Sequence, residues 1–170
     1  VIYADLETMI GEDAMKKFPG FPFLASYISR YYLEHGDFNK AITLARTNVE
    51  NLRKLREKQM AEGKEASWDM TPFIVRLLGA LESNYRNNVY EANKLEAEGK
   101  PEEAKKLRDQ LQKQLDETKQ VAKDLLTEKN EIADSILYVD FCFRNRLIND
   151  LKEYADSIKE DDTENVKSIK

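Results

Sequence analysis

The stretch "YYLEHGDFNKAITLA", residues 31–45, contains the clearest structural signal in this chain. Apolar residues on both sides of Gly36 recur every three or four positions, which is typical of helices. Glycine readily adopts the left-handed conformation that ends a helix, and Asp37 can accept hydrogen bonds from the unpaired amides that begin the next one. The stretch therefore predicts two helices joined by a tight turn at Gly36.

Similar periodicity covers nearly all of the remaining sequence, and alternation with a period of two is almost absent. We therefore expect an all-α protein of five or six helices, arranged as antiparallel hairpins or a bundle. The turn "PGFP" at 19–22 separates the first helix from the second. The predicted helices span 2–18, 24–35, 38–63 and 71–99, followed by a long helical region from Pro101 to about 158.

Two apolar stripes at helical spacing predict the core. The helix after Asp37 carries Phe38, Ala41, Ile42, Ala45, Val49, Leu52 and Leu55. The next carries Ile74, Leu78, Leu81, Tyr85, Val89, Ala92 and Leu95. Thr71 followed by Pro72 predicts the start of that helix, with the threonine as the capping residue. Gly79 lies in its interior, where glycine costs about 1 kcal/mol relative to alanine, and so indicates close helix packing.

The region after Pro101 follows a heptad pattern. Its core positions are Leu111, Leu115, Thr118, Ala122, Leu125, Lys129, Ile132, Ile136, Val139 and Phe143. A single helix from 101 to 158 would be very long for a compact domain, so we expect a bend or break near 127–131. The segment 104–143 could also form a coiled-coil homodimer. We expect one domain over 1–160 and a frayed tail over 161–170.

Composition excludes several classes of function. The net charge is -5 and basic residues are mixed with acidic ones, which argues against nucleic-acid binding. No apolar run approaches the roughly 20 residues that a transmembrane helix needs, and no signal peptide is visible. Cys142 is the only cysteine, so no internal disulfide can form, and we expect its thiol to be buried. Because the chain begins at Val1, we expect a processed form or a fragment, and its compartment is left open.

The sequence contains no recognisable catalytic or cofactor motif. The single histidine, His35, precedes the turn at Gly36, where we interpret it as structural. There is no Glu-x-x-His pair, P-loop, dinucleotide fingerprint or calcium loop, so we expect no metal and no cofactor. Asp140 interrupts the apolar run "ILYVDFCF" and could act as an acid or base if buried. An ion pair with Arg144, one turn away, is the favoured interpretation.

The stretch "ISRYYLEHGDFNKAITLA", residues 28–45, resembles one unit of the tetratricopeptide repeat. The matching positions are Ser29, Tyr32, Gly36, Asp37, Phe38 and Ala41, whereas Asn48 and Arg53 replace the usual small residue and proline. A weaker match, "ANKLEAEGKPEEAKKL" at 92–107, has Ala92, Leu95, Gly99 and Ala104 in the corresponding places. The two glycines lie 63 residues apart, whereas the repeat period is about 34, so the array would be irregular.

The resemblance implies a non-catalytic module that binds a protein or peptide. It places Leu24, Ile28 and Tyr32 inward and leaves a concave binding surface, made of Phe23, Tyr27, Arg30, Arg86, Val89 and Asn93. Arginine suits a peptide carboxylate and the aromatic residues suit an apolar anchor. Three alternatives stay open: segments 2–18 or 132–158 fill that groove, the chain is a helical enzyme or accessory domain using Asp140, or it is a structural homodimer. Trp68 and Phe73 could likewise form a ligand site or anchor their loop.

Overall fold

The computed structural model describes residues 13, 17, 21–65, 69–128 and 132–168, and side chains at 13 and 17 and within 21–65, 69–127 and 134–158. Six helices lie between residues 22 and 168: α1 (Pro22–Glu34), α2 (Phe38–Ala61), α3 (Thr71–Ala97), α4 (Pro101–Glu128), α5 (Ile132–Arg144) and α6 (Ile148–Ser168). No strand occurs among the described residues, so the predicted all-α class is confirmed. Of the expected helix 2–18, only Asp13 and Lys17 are described; both are helical and form an ion pair of 2.7 Å.

The turn at Gly36 has the predicted geometry. Gly36 has a φ of 78° and donates to the Leu33 carbonyl, while Asp37 N–H donates to the Tyr32 carbonyl at 2.9 Å. This pair of bonds is the Schellman arrangement that ends many helices. The Asp37 carboxylate then accepts from Lys40 N–H at 3.2 Å and begins α2. One short stretch of sequence thus ends one helix and starts the next.

The same arrangement closes α2 at Gly63 and α3 at Gly99, both with positive φ. It also closes α5, where the left-handed residue is Arg146 with a φ of 57°. Leu147 N–H donates there to the Cys142 carbonyl at 2.9 Å. The long helical region expected from Pro101 to about 158 is therefore divided by a turn at 145–147 that was not predicted. This turn was not predicted because no glycine marks it in the sequence.

Contacts divide the chain into two units, residues 1–124 and 125–170, and the expected single domain over 1–160 stays a prediction. In the first unit α1 packs against α2 and α3, and α2 packs against α3. Most residues of the two predicted stripes are buried there, whereas Leu55 is exposed. The buried apolar residues of these three helices are Ala25, Ile28, Tyr32, Ala41, Ile42, Ala45, Val49, Leu52, Phe73, Ile74, Leu77, Leu78, Ala80, Leu81 and Ala92.

Two local predictions about α3 are wrong. Met70, not Thr71, is the capping residue, and it makes no side-chain cap bond; instead the Asp69 carboxylate accepts from Thr71 N–H at 3.1 Å. A Cβ added at Gly79 would meet nothing within 4 Å. Close packing therefore does not explain this glycine.

Helix α4 is tied to α2 and α3 by polar contacts. Arg53 pairs with Asp124 at 2.7 Å, and Arg46 pairs with Glu117 in the same way. On the α3 side, Arg108 donates to Asn93 at 3.0 Å and to Glu96 at 2.6 Å, and Asn88 donates to Gln114 at 3.1 Å. Two small residues of α4, Ala104 and Ala122, are buried.

The second unit contains the hairpin of α5 and α6. Tyr138 of α5 contacts Tyr154 of α6 edge to face, with ring centroids 5.3 Å apart. Cys142 is buried, as predicted, beside Phe141. Helix α4 is described to Glu128 and α5 from Ile132, and the break expected near 127–131 falls mainly on residues outside the described ranges. Helix α6 extends to Ser168 and so includes most of the expected tail, whose fraying stays a prediction.

The heptad seam does not continue through α5. Thr118, Ala122 and Leu125 are buried as the pattern predicts, but Ile136 and Phe143 are exposed. The buried positions of α5 are instead Asp134, Tyr138, Phe141 and Cys142. The face that α5 buries depends on what packs against it, so the heptad register counted from α4 selects the wrong face of α5. Lys129 and the side chain of Ile132 lie outside the described residues.

Candidate functional site

Helix α1 buries one side and exposes aromatic residues on the other. Ile28, Ser29 and Tyr32 face the core, while Phe23 and Tyr27 keep 50% and 61% of their surface exposed. Phe23 contacts the buried Phe73 at the start of α3, with ring centroids 5.2 Å apart. Because large aromatic rings on a surface are potential anchors for a partner, this side is a candidate binding surface. We call it the α1 face: Phe21, Phe23, Tyr27 and Arg30, with Arg76 of α3.

Arg30 contributes a positive charge to the α1 face. Its Nε donates to Glu34 Oε1 at 2.6 Å, one turn along the same helix. This hydrogen bond holds the pKa of the Arg30 guanidinium above its usual range and lowers the pKa of the Glu34 carboxyl. Both side chains are more than half exposed, so the pair adds little stability and can exchange partners at low cost.

Arg76 is the second positive charge of the α1 face. Its Nε is buried, and it is the one such side-chain atom among the described residues that has no hydrogen-bond partner. Burial lowers the pKa of Arg76, and the neighbouring charge of Arg30 lowers it further, against the opposing effect of Glu34. A buried donor without an acceptor is energetically costly, typically about 1–3 kcal/mol.

The arrangement suits a ligand with an acidic group beside an apolar side chain. The charge of Arg30 is close enough to lower the pKa of Arg76, and Glu34 is one negative charge beside two positive ones. A carboxylate can accept two parallel N–H bonds from one guanidinium, which gives both affinity and orientation. Tyr27 and Phe23 provide apolar surface beside these charges. The α1 face can therefore bind, but it contains no nucleophile with a neighbouring base.

The residues expected on the fourth predicted helix lie elsewhere along α3. Arg86 is ten residues beyond Arg76, roughly 15 Å of helix, and its Nη2 donates to the buried Glu82 at 3.2 Å. Asn93 accepts from Arg108 of α4, and Val89 is half-buried. The structure therefore brings Phe23, Tyr27 and Arg30 together with Arg76. It places Arg86, Val89 and Asn93 towards the other end of α3.

Sequence reasoning missed Arg76. The available signal was a single basic residue inside the apolar run "FIVRLLGA" at 73–80. Such a residue either points outward or needs a partner, and periodicity alone does not distinguish these cases. The Phe73 ring is buried where the α1 face meets the core. Trp68, the other residue expected to anchor the loop or form a ligand site, lies outside the described residues.

A shallow groove between α1 and α2 is a second candidate. It has a volume of about 390 Å³ and is lined mainly by apolar atoms, with Ile28, Tyr32 and Leu44 among its residues. The Lys40 ammonium lies 5.1 Å from the centre of the Tyr32 ring, a cation–π contact. The Lys40 ammonium, a charged group of this groove, is thus already in contact with Tyr32. The groove therefore offers mainly apolar surface to a ligand.

The side chains considered for catalysis have structural surroundings. Asp140 is 57% exposed and pairs with Arg144 at 2.9 Å. The ion pair is as predicted, but the burial that would have made Asp140 an acid or base is absent. The His35 ring stacks on Tyr31 at 4.0 Å, and its Nδ1 lies 2.8 Å from the Tyr31 carbonyl oxygen. The Asp140 contact lies within α5, and the His35 contacts join the end of α1 to its last turn.

Among the described residues there is no group of three or more histidine, cysteine, aspartate or glutamate side chains placed to hold a metal ion. Nor does any helix in the described ranges combine the length and apolar character needed to cross a bilayer. Comparison with known proteins gave no match: no family model, no curated protein and no solved structure is significantly similar to the chain. The resemblance to tetratricopeptide repeats stays an expectation from the residues quoted above.

Proposed function

We propose that the chain is a non-catalytic helical module that binds a protein or peptide through the α1 face. The observation that carries this proposal is Arg76, whose buried Nε has no hydrogen-bond partner beside a second arginine and two exposed aromatic rings. An acidic peptide supplies what this surface lacks, since its carboxylate can pair with Arg76 and its apolar side chains can cover Tyr27.

The resemblance to a peptide-binding repeat supports the same proposal. Its two departures have structural roles that preserve the hairpin. Asn48, in place of a small residue, donates to the Pro22 carbonyl at 3.0 Å, and Arg53, in place of a proline, pairs with Asp124. The repeat-like stretch thus retains its turn and its helix crossing. Segment 2–18 as an internal occupant of the α1 face is the competing explanation.

The experiment is a selection of peptides from a random library displayed on phage, with the chain immobilised. We expect enrichment of peptides that contain an acidic residue next to an aromatic or aliphatic one. Synthetic versions should then bind with a Kd in the micromolar range, measured by fluorescence anisotropy. Arg76→Ala and Tyr27→Ala should each weaken binding by about tenfold or more, as truncated hot spots do.

Matched controls separate binding from folding. Tyr90 is as exposed as Tyr27 but lies far along α3, so Tyr90→Ala should leave affinity unchanged. Arg86→Ala tests whether the binding surface extends along α3, as the resemblance implies. Arg30→Ala tests the part of the binding surface that α1 contributes. Failure to enrich any peptide, or equal binding by the Arg76→Ala and parent chains with intact helicity, would show that the α1 face is not the binding surface.

A further inference from the structure

A different surface, on the α5–α6 hairpin, exposes a continuous apolar stripe. Ile136 and Phe143 of α5 keep 61% and 76% of their surface exposed, and Val139 lies between them. The spacing of three and four residues places all three on one face of the helix. They are not the residues that α5 buries, which are Tyr138, Phe141 and Cys142. Helix α5 therefore carries two apolar faces, and one of them is uncovered.

Helix α6 extends this stripe into a groove. Tyr154 and Ile158 line it opposite Val139 and Phe143, and its volume is about 610 Å³. Nearly all of its lining surface is apolar, and the polar exceptions are Ser135 and Asp140 at its edge. The groove has room for several side chains, so a protruding ring such as that of Phe143 from another molecule would fit.

We propose that this groove is the interface of a symmetric dimer, occupied by the same groove of a second copy of the chain. The exposed parts of its large apolar side chains amount to on the order of 400 Å², comparable to the largest apolar patch of a typical monomer, which is often functional. A standard interface takes about 800 Å² from each partner, of which little more than half is apolar. The groove thus supplies most of the apolar area that such a dimer needs.

The charges at the edge favour a second copy over an acidic or basic partner. Asp140 and Arg144 form an ion pair one turn apart on α5, so the edge carries one charge of each sign. A two-fold axis perpendicular to α5 reverses the direction of this helix in the second copy. Asp140 of one chain then lies near Arg144 of the other, and both pairs are satisfied at once. A partner with charge of a single sign would meet one attractive and one repulsive residue.

The first test is sedimentation velocity of the full chain over a concentration range of about 1 to 100 µM. We expect the mass to rise from monomer to dimer with increasing concentration. Phe143→Asp should weaken dimerisation by at least about 30-fold, because it places a charge in the apolar centre of the interface. Ile148→Asp is the matched control: Ile148 is similarly exposed in the same unit but does not line the groove. It should dimerise like the parent chain.

A charge exchange tests the symmetry itself. Asp140→Arg alone and Arg144→Asp alone should each be monomeric at concentrations where the parent is dimeric, since like charges would then meet across the axis. Mixing the two variants should restore a one-to-one dimer, because every contact between positions 140 and 144 is then of opposite charge. A parent chain that stays monomeric at 100 µM, or variants that fail to associate when mixed, would overturn the proposal.

Discussion

The Ser29 hydroxyl donates to the Ala41 carbonyl oxygen at 2.9 Å and joins α1 to α2 where the two helices cross. Both residues are completely buried, and their small side chains allow the two backbones to approach. Ser29→Ala keeps the close approach and removes the bond. We expect the free energy of unfolding to fall by about 1 kcal/mol, measured by urea denaturation.

The exposed Ser157 provides the control for this prediction. Its hydroxyl makes the same type of bond, to the Tyr154 carbonyl oxygen at 2.7 Å, but within one helix. Ser157→Ala should change stability by less than about 0.5 kcal/mol. Equal effects of the two substitutions would show that the buried bond between α1 and α2 contributes nothing beyond a surface contact.

The turns at Gly36 and Arg146 predict opposite effects on stability: replacing the glycine should destabilise the chain, and introducing a glycine should stabilise it. Both positions have a left-handed backbone, which costs other residues roughly 1–2 kcal/mol. Gly36→Ala should therefore destabilise the chain by about 1 kcal/mol, although a Cβ there would meet no atom within 4 Å. Arg146→Gly should stabilise the α5–α6 hairpin by up to about 1 kcal/mol. Thermal denaturation followed by circular dichroism measures both; a destabilising Arg146→Gly would contradict the strain argument.

Replacing Gly79 by alanine should have the opposite effect on stability to replacing Gly36. It lies inside α3 with no positive φ, and the space around it accepts a methyl group. Gly79→Ala should raise the free energy of unfolding by about 0.5–1 kcal/mol, because alanine loses less backbone entropy in a helix. A loss of stability would mean that α3 needs a closer neighbour at this position than the structure provides.

The Arg53–Asp124 ion pair should stabilise the contact between α2 and α4. The two side chains are partly exposed, at 40% and 23%, so its contribution is limited by solvent. A double-mutant cycle with Arg53→Ala and Asp124→Ala should give a coupling energy of about 0.5–1 kcal/mol, lower at high salt. The more exposed pair Arg46–Glu117 should give a smaller value. Zero coupling for Arg53 and Asp124 would mean that α4 is held by its apolar contacts alone.

Proline at position 114 tests whether α4 is a structural helix. Gln114→Pro removes a backbone hydrogen bond and misaligns the buried positions beyond it, at a cost of about 3 kcal/mol or more. Gln114→Ala is the control, since it loses only the hydrogen bond from Asn88. Unchanged thermal stability of the proline variant would contradict the role of α4 in the fold.

The helices and their buried sides could be predicted because they depend on local interactions. Periodic apolar residues determine which side of α2 and α3 is buried, and Gly36 and Gly99 mark the turns through their backbone freedom. Asp37 caps α2 through a contact three residues away. Each of these signals lies within one or two helical turns, so the order of helices follows from the chain alone.

Features that depend on distant residues were decided only in three dimensions. Arg146 adopts a left-handed backbone because the surrounding hairpin requires a turn there. Its residue type does not predict that turn. The buried side of α5 depends on which neighbours reach it, so the heptad register selected Phe143 wrongly. Arg76 and Arg30 are 46 residues apart in sequence, and only helix packing brings their charges together and leaves the Arg76 Nε buried without an acceptor. Periodicity specifies which residues share a helix face, but what covers that face depends on tertiary contacts.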